Sequence, residues 1–357
     1  MSDATGLLAG GIALVVSAGA TWLTRAGARR LGFVARPNPI VPQHTRPVAH
    51  LGGLGVAAGL GAGLLAAASA APGSPVNGAD LAGLIAGALG FLVLGALDDI
   101  APLHAAAKFA LQAVVATSAV ALGVWTPLTH LEALDLGLAL LWILTIVNAC
   151  NVTDVCDGLL SGLTVVAMLL MAIALPGVAP AALACAGACA GFLVFNRPPA
   201  TIFLGDTGSL LVGFVSAALA LQVAAASASP VTGALAGALV LGVPLFELAF
   251  LTAVRIRKGL PWWRGSPDHF ALRLQAAGLS RTQTTLVACA AGCLCGVGAL
   301  ALLRFGITVL PAIGLGTGAA AATSAMLLLR WEVGESPAGT AAHGAGPAPR
   351  ALEGAGS

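Results

Sequence analysis

Long apolar runs recur along the whole chain, and they restrict its fold more than any other feature of the sequence. Runs of roughly 17 to 23 apolar residues can cross a hydrocarbon core of about 30 Å as helices, which satisfy their own backbone hydrogen bonds there. The mean hydropathy of +0.97 and the charged fraction of 8% exclude an ordinary soluble protein. The sequence therefore predicts an all-α, polytopic integral membrane protein embedded in the lipid bilayer.

Windows of this length predict about eleven transmembrane helices. They lie at roughly 5–23, 51–71, 81–97, 107–124, 134–150, 159–175, 181–195, 210–227, 231–253, 283–303 and 307–329. We expect residues 1–333 to form a single multi-helix transmembrane domain. Residues 334–357 are rich in Gly, Ala and Pro, and we expect them to form a disordered cytoplasmic tail.

Basic residues indicate the orientation of these helices. Of the 16 Lys and Arg residues, only Arg304 falls on the second side of the predicted membrane. Basic connections stay in the cytoplasm, so the N-terminus should lie outside and the C-terminus inside the cell, in its inner membrane. The first helix should be retained, because Arg25, Arg29 and Arg30 follow it rather than precede it. The net charge of +2 gives no reason to expect a nucleic acid partner.

Four predicted connections bring carboxylates to the same membrane face. These residues are Asp98, Asp99, Asp154, Asp157, Asp206 and Asp268. Polar groups near the membrane interior are costly, and they usually face the bundle interior and serve a site. The convergence predicts a functional site at the cytoplasmic face. Glu247 falls well inside the predicted span at 231–253.

The first two of these motifs allow more than one interpretation. Asp98 and Asp99 could hold a divalent cation or position a proton acceptor, or they could form a solvated helix end. Lys108 follows at the start of the next span, where it could contact a phosphate or extend to the interface. Asp206 precedes a helix whose N-terminal amides could accept a phosphate or fix a carboxylate, or it could be a plain N-cap.

The other two motifs are defined by their spacing. Asn151, Asp154 and Asp157 are three residues apart, so they would share one face of a helical turn. A polar helix boundary would explain the same spacing. His269 and Arg273 are four residues apart and could contact one anion from a single helix face. Either of them could also be an ordinary surface residue.

Six motifs follow one another between residues 36 and 282. They are HTRPVAHLGGLGV, LDDI followed by KFALQ, NACNVTDVCDGLLSG, FLGDTGSLLVGF, VPLFE and PDHFALRL. In this order, and on one predicted membrane face, they resemble the polyprenyl-phosphate N-acetylhexosamine-1-phosphate transferases. That family includes the phospho-MurNAc-pentapeptide translocase and the GlcNAc-1-phosphate transferases.

The resemblance implies a phosphotransferase that acts at the start of cell-surface polysaccharide assembly. Such an enzyme transfers a sugar 1-phosphate from a UDP-sugar to undecaprenyl phosphate, or another polyprenyl phosphate, and releases UMP. The expected cofactor is Mg²⁺, with Mn²⁺ as an alternative, because carboxylates hold a metal that neutralises phosphate charge. A homodimer is an open alternative to a monomer.

The same resemblance implies roles for individual residues. Catalytic roles fall to Asp98, Asp99 and Asp157. Substrate binding falls to Lys108, Asn151, Asp154, His269 and Arg273, and metal binding to Asp206 and Asn151.

Three features depart from the family pattern. Val155 stands where Gly is common, with Cys156 in the apolar position after it, and the last loop has only His269 where many relatives have several histidines. RPVAHLGG replaces the K-x-G-T-P-T-M-G-G signature of the pentapeptide translocase. We therefore expect a GlcNAc-type enzyme, with a pentapeptide transferase as the first alternative. A membrane transporter is the more remote alternative, because buried polar residues also mark transport pathways.

Overall fold

The computed structural model describes residues 2–35, 47–70, 78–129, 131–261, 263 and 265–331. Within these ranges the chain forms helices and one short hairpin. The helices are α1 (Ser2–Leu31), α2 (Gly53–Ala70), α3 (Gly78–Ile100), α4 (Ala105–Ala121), α5 (Glu132–Thr153), α6 (Leu159–Ala174), α7 (Ala179–Asn196), α8 (Gly205–Ala226), α9 (Pro230–Val240), α10 (Gly242–Arg257), α11 (Phe270–Ala276), α12 (Arg281–Phe305) and α13 (Leu310–Leu328). The strands are β1 (Val34–Ala35) and β2 (Val48–Ala49), and a short 3-10 turn, Gly306–Val309, joins α12 to α13.

The prediction of an all-α polytopic membrane protein is confirmed, and helices coincide with the predicted spans. In the described ranges, seven helical segments are long and apolar enough to cross a membrane, or eight if α9 and α10 form one span. The helices α4 and α6 are shorter apolar helices, and α12 and α13 count there as one segment. The exact number of spans and the orientation stay predictions. The predicted tail, 334–357, lies outside the described residues.

The predicted span at 231–253 is wrong as a single helix, because α9 and α10 meet at an angle of 71°. Pro244 explains the break. Proline has no N–H to donate to the carbonyl of Val240, four residues earlier, and its ring clashes with that carbonyl in a regular helix. The break turns α10 away from the direction of α9, and it places Glu247 in a fully buried position.

The helix α8 lies at the centre of the bundle, and most of its residues are buried. Helices α3 and α5 pack against it, while α1 packs against α2 and α7. Small residues allow the closest of these approaches. A Cβ atom at Gly95 in α3 would collide with the backbone of Asp206 and Thr207 in α8. The last turn of α3, with its two aspartates, therefore lies directly against the first turn of α8.

A backbone clamp joins the first connection of the chain to the segment before α8. Strand β1 pairs with β2 in antiparallel fashion, and Ala49 of β2 pairs with Ile202 in parallel fashion. The amide of Gly52 then donates to the carbonyl of Phe203 at 2.9 Å. This clamp brings the end of motif HTRPVAHLGGLGV to the same end of the bundle as α8's first turn.

Gly95→Ala should destabilise the protein, because the added methyl group must displace the backbone of α8. We expect a loss of about 1–3 kcal/mol, as for other overpacked interiors. The matched control is Gly61→Ala, where a Cβ atom meets no neighbour within 4 Å. Thermal unfolding of the purified proteins in detergent measures the difference, and equal stability of the two variants would contradict the proposed close approach.

Candidate functional site

A pocket of about 270 Å³ opens where α3 and α5 end and α8 begins. It brings together five of the residues predicted from the sequence. They are Asp99, Asn151, Asp154, Asp157 and Asp206. Three separate helices and one turn supply these side chains, so the pocket exists only in the folded bundle.

Asp99 accepts three hydrogen bonds from the first turn of α8. Its Oδ1 accepts from the amide of Asp206 at 2.8 Å, and its Oδ2 accepts from the amide and the hydroxyl of Thr207 at 2.9 and 2.6 Å. The first amides of a helix have no partner within it, and a carboxylate there interacts favourably with the helix dipole. These amides therefore fix a carboxylate, and they are not open to a phosphate.

Lys108 lies between two carboxylates beside the pocket. Its Nζ contacts Oδ2 of Asp98 at 3.0 Å and forms a short ion pair with Oδ2 of Asp206. The other oxygen of Asp98 accepts from the amide of Leu103 at 2.7 Å. Asp206 lines the pocket and also contacts Lys108. The carboxylate of Asp206 therefore connects the ion pair of Asp98 and Lys108 to the pocket.

Asn151 connects α5 to α8 across the pocket. Its Nδ2 donates to Oδ1 of Asp206 at 2.8 Å and to the hydroxyl of Ser209 at 3.0 Å. The same motif begins with Asn148, which donates to Gln112 at 2.8 Å and so belongs to the packing of α4 against α5. Since the donors of Asn151 are engaged by α8, its carbonyl oxygen is the atom that remains for a ligand.

Asp154 follows α5 directly and lines the pocket, and its carboxylate makes no hydrogen bond within the part of the chain that the structure describes. Burial, followed by the negative charges of Asp206, Asp99 and Asp157, raises the pKa of Asp154 to about 8. The free pocket therefore favours the protonated form of this carboxyl, and a cation bound beside it would favour the ionised form. Such a site favours a bound cation.

Asp157 differs from its neighbour because its carboxylate is paired. Its Oδ2 accepts from Nη1 of Arg281 at 2.8 Å and from the amide of Ala200 at 3.1 Å. The turn is completed by Gly158, whose φ of 73° suits glycine and whose amide donates to Asn196 at 2.9 Å. Asp157 thus joins this turn to the start of α12, and only an edge of it faces the pocket.

The structure places His269 and Arg273 in a second buried cluster, apart from the pocket. Nδ1 of His269 lies 2.7 Å from Oε1 of Glu247. Arg273 is only 1% exposed, and it contacts Asp268 at 2.5 Å and donates to the carbonyl of Leu328 at the end of α13 at 3.1 Å. These contacts hold α10, α11 and α13 together. The predicted role of both residues in substrate binding stays a prediction.

Asp268 supplies the negative charge of this second cluster. Burial raises its pKa, but Lys258 and Arg273 outweigh burial and hold the pKa below its usual range. Its carboxylate is therefore ionised and internally compensated, in contrast to that of Asp154.

The oxygen donors of the pocket fit a hard divalent cation such as Mg²⁺. The carboxylate of Asp154 and the side-chain carbonyl oxygen of Asn151 accept no hydrogen bond from side chains or amides of the described residues. The carboxylate of Asp206 contacts both Asn151 and Lys108. Among the described residues, no group of three or more acidic, His or Cys side chains forms an all-protein metal site. Mg²⁺ is commonly held by one or two carboxylates together with substrate phosphates, so this incomplete donor set agrees with its chemistry.

Sequence reasoning missed two residues at the site. His50 lines the pocket, and its Nδ1 lies 3.6 Å from Oδ1 of Asp99. Arg281 forms the ion pair with Asp157. His50 belongs to a motif that was recognised only by its order in the chain. Nothing in the local sequence around Arg281 indicates its partner, which lies 124 residues earlier.

The sequence is similar to those of several known proteins. The sequence model of glycosyl transferase family 4 matches residues 81–224. The chain is 32% identical over 273 residues to the probable undecaprenyl-phosphate N-acetylglucosaminyl 1-phosphate transferase of Bacillus subtilis, covering 72% of this chain and 74% of that protein. It is 31% identical over 320 residues to the decaprenyl-phosphate N-acetylglucosaminephosphotransferase of Mycobacterium tuberculosis, covering 78% of each chain.

A shorter match joins the chain to a second branch. It is 44% identical over 148 residues to the phospho-N-acetylmuramoyl-pentapeptide-transferase of Heliobacterium modesticaldum, covering 40% of this chain and 44% of that protein. The resemblance predicted from the motifs is confirmed, since the relative from Bacillus subtilis matches along about three quarters of its length. The chain belongs to glycosyl transferase family 4.

Proposed function

We propose that this protein transfers N-acetylglucosamine 1-phosphate from UDP-GlcNAc to undecaprenyl phosphate, giving a lipid diphosphate sugar and UMP. The observation that carries this proposal is the contact of one carboxylate, Asp206, with both Lys108 and Asn151 at the pocket. A carboxylate held between an ammonium group and an amide suits a site that gathers several phosphate charges.

The choice of sugar rests on the relatives. Two relatives named as N-acetylglucosamine phosphotransferases match over about three quarters of their length. The relative named as a pentapeptide transferase matches over less than half of its length. A pentapeptide substrate is therefore the second candidate, favoured by the higher identity of that shorter region. The lipid diphosphate sugar would be the starting unit of a cell-surface polysaccharide.

The proposed reaction needs one phosphate oxygen of the lipid to attack the sugar-linked phosphorus of the donor. The new bond forms between these atoms, and the bond to the uridine monophosphate group breaks. Mg²⁺, when bound, would neutralise the charge that develops on the phosphates. Asp206, Asn151 and Asp154 are the residues of this chain that would hold it. Mn²⁺ offers similar ligand chemistry.

Residues of the chain orient the lipid phosphate and balance its charge. Lys108 offers the ammonium group for a phosphate oxygen beside Asp98. Asp99 accepts three hydrogen bonds, so it is better suited to position α8 than to accept a proton or form a covalent phosphate. This favours direct attack by the lipid phosphate over an aspartyl-phosphate intermediate.

We also propose that the pocket lies at the cytoplasmic face of the inner membrane. UDP-sugars are polar nucleotides that cannot enter the hydrocarbon core, whereas an isoprenoid tail stays within it. A pocket at the ends of apolar helices meets both requirements. The distribution of basic residues, with only Arg304 on the second side, supports the cytoplasmic assignment.

Asp206→Asn should lower UMP release at least ~100-fold, because an amide neither balances Lys108 nor holds a cation as a carboxylate does. Purified protein is incubated with undecaprenyl phosphate, Mg²⁺ and a panel of UDP-sugars, and UMP is measured. Chelation of the metal should abolish the same signal in the unchanged protein. The control is Glu132→Gln, an exposed acid at the other end of α5. Turnover of Asp206→Asn equal to that of the control would refute the assignment, and no UMP from any donor would refute the function.

Asp154→Asn should stabilise the metal-free protein, and more strongly as the pH rises. The pKa of Asp154 is about 8 in the folded protein and about 3.9 in the unfolded chain. The folded state therefore favours the protonated carboxyl, and this stability is lost as the pH rises through that interval. We expect the gain in Tm of the variant to grow by on the order of 2–4 °C between about pH 5 and pH 8.

A chelator keeps this measurement free of metal, and adding Mg²⁺ should shrink the difference between the two proteins. The cation would compensate the ionised carboxylate that the variant lacks. A gain in Tm that is the same at both pH values would contradict the raised pKa. Asp135→Asn is not a suitable control because that carboxylate is buried and accepts a hydrogen bond from Thr129. Glu132→Gln again serves.

A further inference from the structure

His50 occupies a position in the pocket that the chemistry described so far does not use. Its side chain is 27% exposed, yet its Nδ1 is buried and has no hydrogen-bond partner among the described residues. The nearest acceptor is Oδ1 of Asp99 at 3.6 Å, which is too long for a hydrogen bond. The Cε1 edge of the ring lies against Gly205, where a side chain would collide with it. Of the two ring nitrogens, only Nδ1 is among the buried polar atoms that lack a partner, so Nε2 is the nitrogen left for a ligand.

The backbone around His50 is fixed on both sides. Its amide donates to the carbonyl of Phe33 at 3.1 Å, and Gly52 is bound to Phe203. Between them, Leu51 has a φ of 70°, and it is the single residue other than glycine with a positive φ in the described ranges. Such a conformation is unfavourable for leucine, and strained backbone of this kind persists where the surroundings enforce it, often at functional sites. The hydrogen bonds of His50 and Gly52 on either side of Leu51 therefore fix the backbone that carries the imidazole.

The described lining of the pocket has several carboxylates and few basic groups, so the imidazole of His50 matters for binding an anion. Among these described lining residues, only His50 has a side chain that can carry a positive charge. Two amides at the start of α8, those of Asp206 and Thr207, are already bound to Asp99 and offer nothing to a phosphate. Lys108 lies beside the pocket rather than in its lining. Among the described residues that line the pocket, His50 is thus the one cation that a phosphate would meet.

We propose that His50 binds a phosphate oxygen of a substrate through Nε2, while Nδ1 faces Asp99. This inference rests on the function proposed above, and it adds a substrate-binding residue to it. An imidazolium ring has a donor at each nitrogen, so it can contact the Asp99 carboxylate on one side and a phosphate on the other. The phosphate belongs either to the diphosphate of the donor or to the lipid acceptor.

Steady-state kinetics of purified variants test the proposal. UMP release is measured against UDP-GlcNAc and, separately, against undecaprenyl phosphate, with Mg²⁺ in excess. His50→Ala should raise KM for one of the two substrates roughly tenfold or more, because a charge-assisted hydrogen bond to that phosphate is lost. Its kcat should change less than about threefold. His50→Arg should keep KM close to the original value, since arginine also binds phosphate. The substrate whose KM rises identifies the phosphate.

A matched control and a direct binding measurement complete the design. His104→Asn removes another histidine, which is exposed and caps α4, and it keeps a side chain able to cap the helix. Titration calorimetry with UDP and Mg²⁺ measures binding of a diphosphate without turnover. If His50→Ala does not fold, His50→Gln replaces it, and the same rise in KM is expected at a smaller size.

The outcomes separate this inference from the proposed function. If the unchanged protein releases no UMP, the function fails, and the calorimetry alone decides the role of His50. Unchanged KM for both substrates together with unchanged UDP affinity would overturn the proposal. A lower kcat with unchanged KM, not restored by His50→Arg, would also overturn it, because His50 would then act only by supporting Asp99.

Discussion

The hydrogen bonds between Asp99 and the first turn of α8 are the interaction on which the site depends. Two backbone amides and one hydroxyl converge on this one carboxylate. The amides at a helix start need partners when they are buried, and here another helix supplies them. Gly95, one turn earlier, allows the two backbones to approach closely enough. This contact fixes the backbone of Asp206, whose carboxylate then reaches both Asn151 and Lys108.

The same contact determines where phosphate can bind. A free helix N-terminus is a ready anion site, but that of α8 is already neutralised by Asp99. Positive charge must therefore come from side chains or from a metal. The acidic residues of the pocket divide accordingly. Asp99 and Asp157 accept hydrogen bonds, whereas the carboxylate of Asp154 accepts none from the described residues, and burial followed by the neighbouring carboxylates raises its pKa. In the proposed function, a bound cation would compensate the ionised carboxylate of Asp154.

The sequence predicted well what depends on local composition. Hydropathy located the spans, and the side on which the acidic motifs lie indicated that Asp99, Asn151, Asp154 and Asp206 would meet. Contacts between distant segments could not be predicted in the same way. The bond from Asp206 to Asp99 joins residues 107 positions apart, and no local pattern records it.

One prediction, the single helix at 231–253, was wrong although its sequence contains the signal for a break. Pro244 lies within the predicted span at 231–253, and its effect on a helix is well understood. The isolated Glu247 should also have indicated that a partner must come from elsewhere, because an unpaired carboxylate within a span is costly. Nδ1 of His269 lies 2.7 Å from this carboxylate, and its role in substrate binding stays a prediction. A buried acid inside a span is thus informative about the loop that compensates it.

Two residues of the last loop and the start of α12 contact the wall of the pocket. Arg273 secures α11 against the end of α13, and α11 places Gln275 so that its amide donates to the sulfur of Cys156 at 3.3 Å. Six residues further on, Arg281 contacts Asp157. Both contacts fall on the wall formed by the turn after α5. Because that wall also carries Asp154, a displacement of the loop would change the pocket without any loop residue entering it.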